Sequence, residues 1–148
     1  MQERFKNFTV LIAKINRCIR KIKTEEMAEF DLKSTHVSCL YYLYTMETLT
    51  SKELCDVCEE DKASISRSIE FLENNGYIKS VDKEYKRYKR QLELTEKGTE
   101  VGKRIFERIT GILNQSSEGI SDGERENLYR MLYLISENLQ KICDKYEN

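Results

Sequence analysis

The sequence predicts a mainly α chain with a single two-stranded hairpin, and three observations lead there. Its 148 residues contain no Pro, where average usage would put one at about 5% of positions, so few rigid turns interrupt its helices. Charged residues make up 34% and apolar residues 39%, a mix that suits long amphipathic helices better than disorder. Apolar residues recur at helical spacing at both ends of the chain, and strict alternation appears only between Gly76 and Thr95.

The first element is one long helix. Phe5, Phe8, Ile12, Ile15, Ile19 and Ile22 follow one another at spacings of 3, 4, 3, 4 and 3, a heptad seam of the kind that pairs helices. At the far end Leu128, Leu132, Ile135, Leu139, Ile142 and Tyr146 repeat the pattern at spacings of 4, 3, 4, 3 and 4. Neither seam has the broad apolar face of a helix buried in its own core, so the two are expected to form a dimerisation layer. Phe5, Phe8, Ile12, Ile15, Leu132, Ile135, Leu139 and Ile142 are its candidate contacts, and packing of the two seams within one monomer is the competing reading.

The boundaries between the seams are written in caps and breaks. Thr50-Ser-Lys-Glu53 and Ser121-Asp-Gly-Glu124 fit the capping box and mark helix starts. Asn74-Asn75-Gly76 closes the helix before it, because Gly accepts the left-handed conformation the position after a helix requires. The stretch 116–123 separates a helix with Val101, Ile105, Ile109 and Ile112 on one face from the last helix. Tyr77-Ile-Lys-Ser-Val81 and Gln91-Leu-Glu-Leu94 alternate as strands do, with a polar hairpin loop between them.

Within this order, Thr50 to Cys58 makes a short helix, Glu59 to Lys62 a tight turn, and Ala63 to Asn74 a second helix. That is helix-turn-helix geometry. The second helix is expected to bury Ile65, Ile69 and Leu72 and to present Ser64, Ser66, Arg67 and Ser68, as a DNA recognition helix does. The hairpin that follows is then a wing. Its tip, Lys83-Glu-Tyr-Lys-Arg-Tyr-Lys-Arg90, has five positive charges and one negative in a protein of net charge −1, a composition suited to phosphate; Tyr85 and Tyr88 interleave with the cations, and Arg87 or Arg90 is positioned to enter a minor groove. A solvated, like-charged loop is the alternative.

These residues resemble the winged helix-turn-helix core of the MarR (multiple antibiotic resistance regulator) family. Leu32-Lys-Ser-Thr-His36-Val-Ser-Cys-Leu40 is similar to its L-T-x-x-Q-x-x-x-L opening, and Thr50-Ser-Lys-Glu-Leu54 to its T-x-x-E-L helix. Asp61-Lys-Ala-Ser-Ile-Ser-Arg67 resembles its D-K-A-x-V-T-R recognition helix, Leu72-Glu-Asn-Asn-Gly76-Tyr-Ile78 its L-E-x-x-G-L-I, and Leu94-Thr-Glu-Lys-Gly98 its L-T-x-x-G exit. The resemblance implies a homodimer on a pseudo-palindromic double-stranded DNA operator, with recognition helices in adjacent major grooves and wings in flanking minor grooves. Carried over by position, Ser64, Ser66 and Arg67 face the major groove and Lys62 lies near phosphate. Ser51, Lys83, Lys86, Arg87, Lys89 and Arg90 complete the candidate DNA contacts.

Two departures stand out. The family's wing usually has D-x-R ahead of its L-T, whereas this chain has Lys86-Arg87-Tyr88, so the Asp that normally orients the Arg is missing. Residues 52–61 have Glu53, Asp56, Glu59, Glu60 and Asp61 against Lys52, an acidic turn beside the proposed DNA surface, with Glu60 where the family tends to have an aliphatic residue.

An enzyme is not expected, since the sequence has no phosphate-binding Gly loop, nucleophile elbow or metal-ligand cluster. No cofactor or metal is expected. Cys55-x-x-Cys58 reads as core filling, because a four-coordinate Zn site needs two further ligands close by. Five cysteines at irregular spacing, without a signal-peptide pattern, predict reduced thiols in the cytoplasm. No apolar run approaches a bilayer span. Cys18, among Lys14, Arg17, Arg20 and Lys21, is the candidate redox sensor, and Cys143 also lies in the presumed dimer layer. His36 reads as a packing residue at a helix start. By analogy with relatives, a small aromatic effector would contact Tyr41, Tyr44 and the first helix.

The reading is therefore a winged helix-turn-helix with a two-stranded wing and N- and C-terminal dimerisation helices: residues 1–31, a DNA-binding core at 32–98, and helices at 99–148 completing the dimer layer. Its expected function is that of a sequence-specific transcriptional regulator, a repressor released by a small molecule or an oxidant. The alternative is a helical interaction module of antirepressor type that keeps the fold without operator binding.

Overall fold

The computed structural model describes residues 2–81, 86 and 89–147, and of Gln2 and Phe5 the backbone only. Helix α1 (Gln2–Glu26) runs unbroken and is followed by a 3-10 turn (Ala28–Phe30) and α2 (Ser34–Met46). Strand β1 (Thr48–Leu49), α3 (Ser51–Cys58) and α4 (Lys62–Asn74) come next, then β2 (Ile78–Ser80), β3 (Leu92–Leu94), α5 (Glu96–Ser116) and α6 (Asp122–Asp144). Helix order is as the sequence predicts. The sheet is not: β1 joins the hairpin, giving an antiparallel order β1-β3-β2, with Thr48 opposite Glu93 and Leu49 opposite Leu92. Lys62 also starts α4 rather than ending the turn.

The chain forms two compact units, residues 1–109 and 110–148, with α5 crossing the boundary. The core of the first unit gathers Met27 at the end of α1, Val37, Cys39, Leu40 and Leu43 of α2, Leu54 of α3, Ile65, Ile69 and Leu72 of α4, Ile78 and Leu92 of the hairpin, and Val101 and Ile105 of α5. Burying each such aliphatic side chain is worth about 1.5–3 kcal/mol. The expected apolar stripe of α4 is thus buried, and that of α5 is buried at Val101 and Ile105 and half-buried at Ile109 and Ile112.

Left-handed residues stop the short elements. Asp31 (φ 55°) closes the 3-10 turn and Glu59 (φ 51°) closes α3, their amides donating to the carbonyls of Ala28 and Cys55. Gly76 (φ 74°) turns the chain from α4 into β2 at no steric cost. In the second unit Gly119 (φ 83°) lies in the turn before α6. The predicted box starts that helix: Glu124 N donates to Ser121 Oγ at 3.3 Å, and Ser121 N donates to Glu124 Oε2 at 2.8 Å.

The seam residues do not enter these cores. Phe8, Ile12, Ile15 and Ile19 of α1 are exposed, as are Leu128, Ile135, Leu139 and Ile142 of α6, and Leu132 is half-buried. The side chain of Phe5 lies outside the described residues. No helix among them is long and apolar enough to cross a membrane.

Candidate nucleic-acid interface

Helices α3 and α4 are started by side chains that the sequence supplies in the right places. Glu53 N donates to Thr50 Oγ1 at 3.2 Å and Thr50 N donates to Glu53 Oε2 at 2.7 Å, the reciprocal box that satisfies two amides at the head of α3. Asp61 caps α4, its Oδ1 accepting from Ser64 N at 2.7 Å. Much of the acidic turn is therefore structural. Glu53 and Asp61 cap helices, and Glu60 pairs with Arg20 of α1 at 3.4 Å.

One side of α4 is seated in the core through Ile65, Ile69 and Leu72, as expected. Ser68 departs from expectation: at 4% exposure it belongs to the seat. The exposed residues of the helix include Lys62, Ser66 and Arg67, and Ser64 is half-buried. Two clefts flank the helix. On one side, Ser51 of α3, Lys62, Ser66, Ile69 and Glu73 of α4, and Ser80, Arg90 and Leu92 of the hairpin line a cleft of about 230 Å³. Four predicted contacts, Ser51, Lys62, Ser66 and Arg90, meet there.

On the other side, Ser64 and Arg67 line a cleft of about 420 Å³ together with Asp31, Lys33, Thr35 and His36 from the start of α2. Lys33 and Thr35 were not among the sequence candidates. A cation and a hydroxyl beside Arg67 extend the polar surface past α4, and the one available hint was their place within the opening motif that starts at Leu32. His36 organises this edge: its Nδ1 accepts from Lys33 N at 3.1 Å, and its ring stacks on Phe71 of α4 at 4.2 Å between centroids. Burial, and next to it the charge of Lys33, holds the imidazole pKa below its ordinary 6.5, so the neutral acceptor form is favoured. The expected packing role at a helix start is what the residue performs.

The hairpin is anchored at its base. Lys79 and Glu93 sit opposite each other across β2 and β3 and pair at 3.2 Å. Thr95 Oγ1 donates toward the carbonyls of Gly76 (2.6 Å) and Tyr77 (3.2 Å) and accepts from Gly98 N at 3.1 Å, tying the end of β3 to the start of β2. Lys97 donates to the Asn75 carbonyl at 2.8 Å and lies over the Tyr77 ring. The Leu94-Thr-Glu-Lys-Gly98 stretch is thus a clasp. Toward the tip, Lys86 and Lys89 are exposed and Arg90 is half-buried. Lys83, Tyr85, Arg87 and Tyr88 lie outside the described residues.

Of the other candidates, Cys18 and Cys143 are exposed, Cys55 and Cys58 are half-buried against the core, and Cys39 is fully buried. Tyr41 and Tyr44 both approach Phe106 of α5, at 6.2 and 5.6 Å between ring centroids.

Residues 32–98 match the family model of a winged helix DNA-binding domain. A stretch of 82 residues is 35% identical to YwoH of Bacillus subtilis, an uncharacterized HTH-type transcriptional regulator; it covers 53% of this chain and 60% of that relative, less than two thirds of its length. Among solved structures, the MarR family regulator NMB1585 of Neisseria meningitidis is similar with a TM-score of 0.84 at 22% identity, over 96% of this chain and 97% of that one. A MarR family regulator of Listeria monocytogenes, solved with a 26mer DNA, follows at 0.79 and 24% identity, over 86% and 85%. With residues 32–98 matching a winged helix model and its fold shared with such a regulator over 96% of the chain, this protein has the winged helix fold of the MarR family structures.

Proposed function

We propose that the chain is a MarR-type transcriptional regulator that binds double-stranded DNA as a homodimer and represses until an effector releases it. The observation that carries this reading is the meeting of Ser51, Lys62, Ser66 and Arg90 around the exposed side of α4. In a protein of net charge −1, such a grouping of hydroxyls and cations on a recognition helix suits phosphate and base edges. On the far side Lys33, Thr35 and Arg67 continue it. The Listeria relative with this fold was solved with DNA, which supports the same reading.

Dimerisation is supported by the seams. Exposed Phe8, Ile12, Ile15 and Ile19 on α1, and exposed Ile135, Leu139 and Ile142 with half-buried Leu132 on α6, form apolar stripes that a second copy would cover. A palindromic site requires both recognition helices at one spacing, so a ligand that favours another spacing lowers affinity. Tyr41, Tyr44 and Phe106 are the aromatic surface on which a small aromatic effector would act, and Cys18 is the thiol that the sequence offers to an oxidant.

Fluorescence anisotropy on duplexes from the upstream region of its own gene, at several salt concentrations and beside a scrambled duplex, tests the proposal. Tight binding that depends on sequence and falls steeply with salt supports it, each neutralised phosphate steepening the logarithmic slope by about 0.9. Arg87→Ala is expected to weaken binding through the wing. Weak binding that is the same on every duplex, including those from a random-sequence selection, would favour the interaction-module reading instead.

A further inference from the structure

Helix α1 is held to the core of the first unit chiefly by polar side chains. None of its described side chains is buried, and in its last two turns only Ile22 and Lys23 are half-buried. Two directional contacts fix that end. Arg20 Nη2 donates to Glu60 Oε1 at 3.4 Å, in the turn between α3 and α4, and one turn on Lys23 Nζ donates to Ser38 Oγ of α2 at 2.9 Å. Ser38 is itself buried and donates to the Ser34 carbonyl at 3.2 Å. Burial lowers the Lys23 pKa, as for an ammonium that has given up water to make this contact.

Glu60 ties the contact to the head of α4. Its amide donates to the Cys55 carbonyl at 3.3 Å, which joins it to α3. It directly precedes Asp61, whose carboxylate accepts from Ser64 N at 2.7 Å and whose carbonyl accepts from Ile65 N at 3.1 Å, starting α4. An aliphatic side chain at this position would leave Arg20 without its acid.

We propose that Arg20 and Lys23 are positioning residues for operator recognition, fixing through Glu60 and Ser38 the angle between the helix that has the dimer seam and the recognition helix α4. This role rests on the DNA-binding homodimer proposed above. Two ties to two different elements, one turn apart, fix both the tilt and the rotation of α1, which a single contact would not. In a dimer joined through α1, that angle sets the spacing of the two recognition helices, and a palindromic site reads spacing. Arg20 and Glu60 thus act on specificity through α4. Sign separates this from plain electrostatics: loss of the Glu60 charge would by itself raise affinity for every duplex, whereas a loosened angle lowers only the preference for the correctly spaced one.

The test measures anisotropy on the preferred duplex, on the same duplex with one base pair inserted between its half-sites, and on a scrambled duplex. Arg20→Gln and Glu60→Gln are each expected to reduce the preference for the correct spacing about threefold to tenfold, as two exposed pairs per dimer allow, with binding to the scrambled duplex raised for Glu60→Gln. Lys23→Met is expected to act in the same direction as Arg20→Gln. Arg20→Lys, and the charge swap Arg20→Glu with Glu60→Arg, are expected to restore most of the preference. Hydrogen exchange of the free protein gives a readout without DNA. The Ser64 and Ile65 amides at the head of α4 are expected to exchange about threefold faster in Arg20→Gln while the Glu53 amide of α3 keeps its rate, since a global loss of stability would speed both. Uniform changes on every duplex that follow the sign of the removed charge, with unaltered exchange at α4, overturn the proposal. Should the parent show no preference among duplexes, the operator reading fails by itself, and exchange in the single and charge-swap variants still decides whether Arg20 and Glu60 fix α4.

Discussion

Gly98 and Tyr77 meet backbone to backbone: a β-carbon placed on Gly98 would lie 1.9 Å from the Tyr77 carbonyl oxygen. That carbonyl also accepts from Thr95 N at 3.0 Å, so it is fixed by the clasp at the base of the wing and cannot yield. The glycine of the exit motif is there for close approach, at the point where α5 leaves the sheet.

Gly98→Ala is therefore expected to lower stability by about 1–3 kcal/mol or more through overpacking against backbone. Gly111 is the control. It is also helical, and nothing lies within 4 Å of its added β-carbon, so Gly111→Ala is expected to raise stability by roughly 0.5–1 kcal/mol through helix propensity. Urea unfolding of the two variants beside the parent measures the difference, and equal effects would count against the contact.

Asp61 has a structural role and an electrostatic one, and two substitutions separate them. Asp61→Ala removes the cap of α4 and is expected to cost about 0.5–2 kcal/mol. Asp61→Asn keeps a capping oxygen while removing a negative charge beside Lys62, so stability is retained and DNA affinity at low salt rises. Melting curves and anisotropy, read together, test the pair.

His36 makes stability depend on pH. Its folded-state pKa lies below the ordinary 6.5, chiefly through burial, so the unfolded chain binds the proton more readily. The contribution is fully present above pH 6.5 and is lost as pH falls through the lower folded-state value. Protonation also removes the Nδ1 acceptor that holds Lys33 N. His36→Phe, which can keep the stack on Phe71, is expected to flatten the fall in melting temperature between pH 6.5 and the carboxylate range; a fall identical to that of the parent would sink the assignment.

The candidate DNA contacts should divide by kind. Lys62→Ala and Arg90→Ala are expected to weaken all duplexes alike and to lower the salt slope by about 0.9 each. Arg67→Ala is expected to cost about 1–3 kcal/mol on the preferred duplex and to blur discrimination at one base pair. A uniform loss for Arg67→Ala would reassign it to phosphate.

Ile15 lies in the exposed stripe of α1 and is 53% exposed in a single chain. Ile15→Lys is expected to shift the protein toward monomer in sedimentation velocity and to leave its helical circular dichroism in place. A dimer that persists at unchanged affinity would place the interface elsewhere.

What the sequence revealed was local. The Thr50 and Ser121 boxes and Gly76 each rest on residues a few positions apart, and each formed as expected. Strand β1 escaped because Thr48 and Leu49 become a strand only by pairing with Glu93 and Leu92, far along the chain. The arrival of Lys33 and Thr35 beside Arg67 escaped for the same reason. Ser68 was a different kind of miss. It falls on the stripe of Ile65, Ile69 and Leu72 at helical spacing, and its hydroxyl disguised a position that the period had already assigned to the core.

Helix α1 has 25 residues without an interruption, about 37 Å at 1.5 Å per residue. Near its end Arg20 grips Glu60 in the turn between α3 and α4, and Lys23 grips Ser38 of α2, while the apolar stripe from Phe8 to Ile19 stands free. Such a rod acts as a tiller. Whatever takes hold of its free length pulls on the turn from which α4 starts, with no break in the helix between the two.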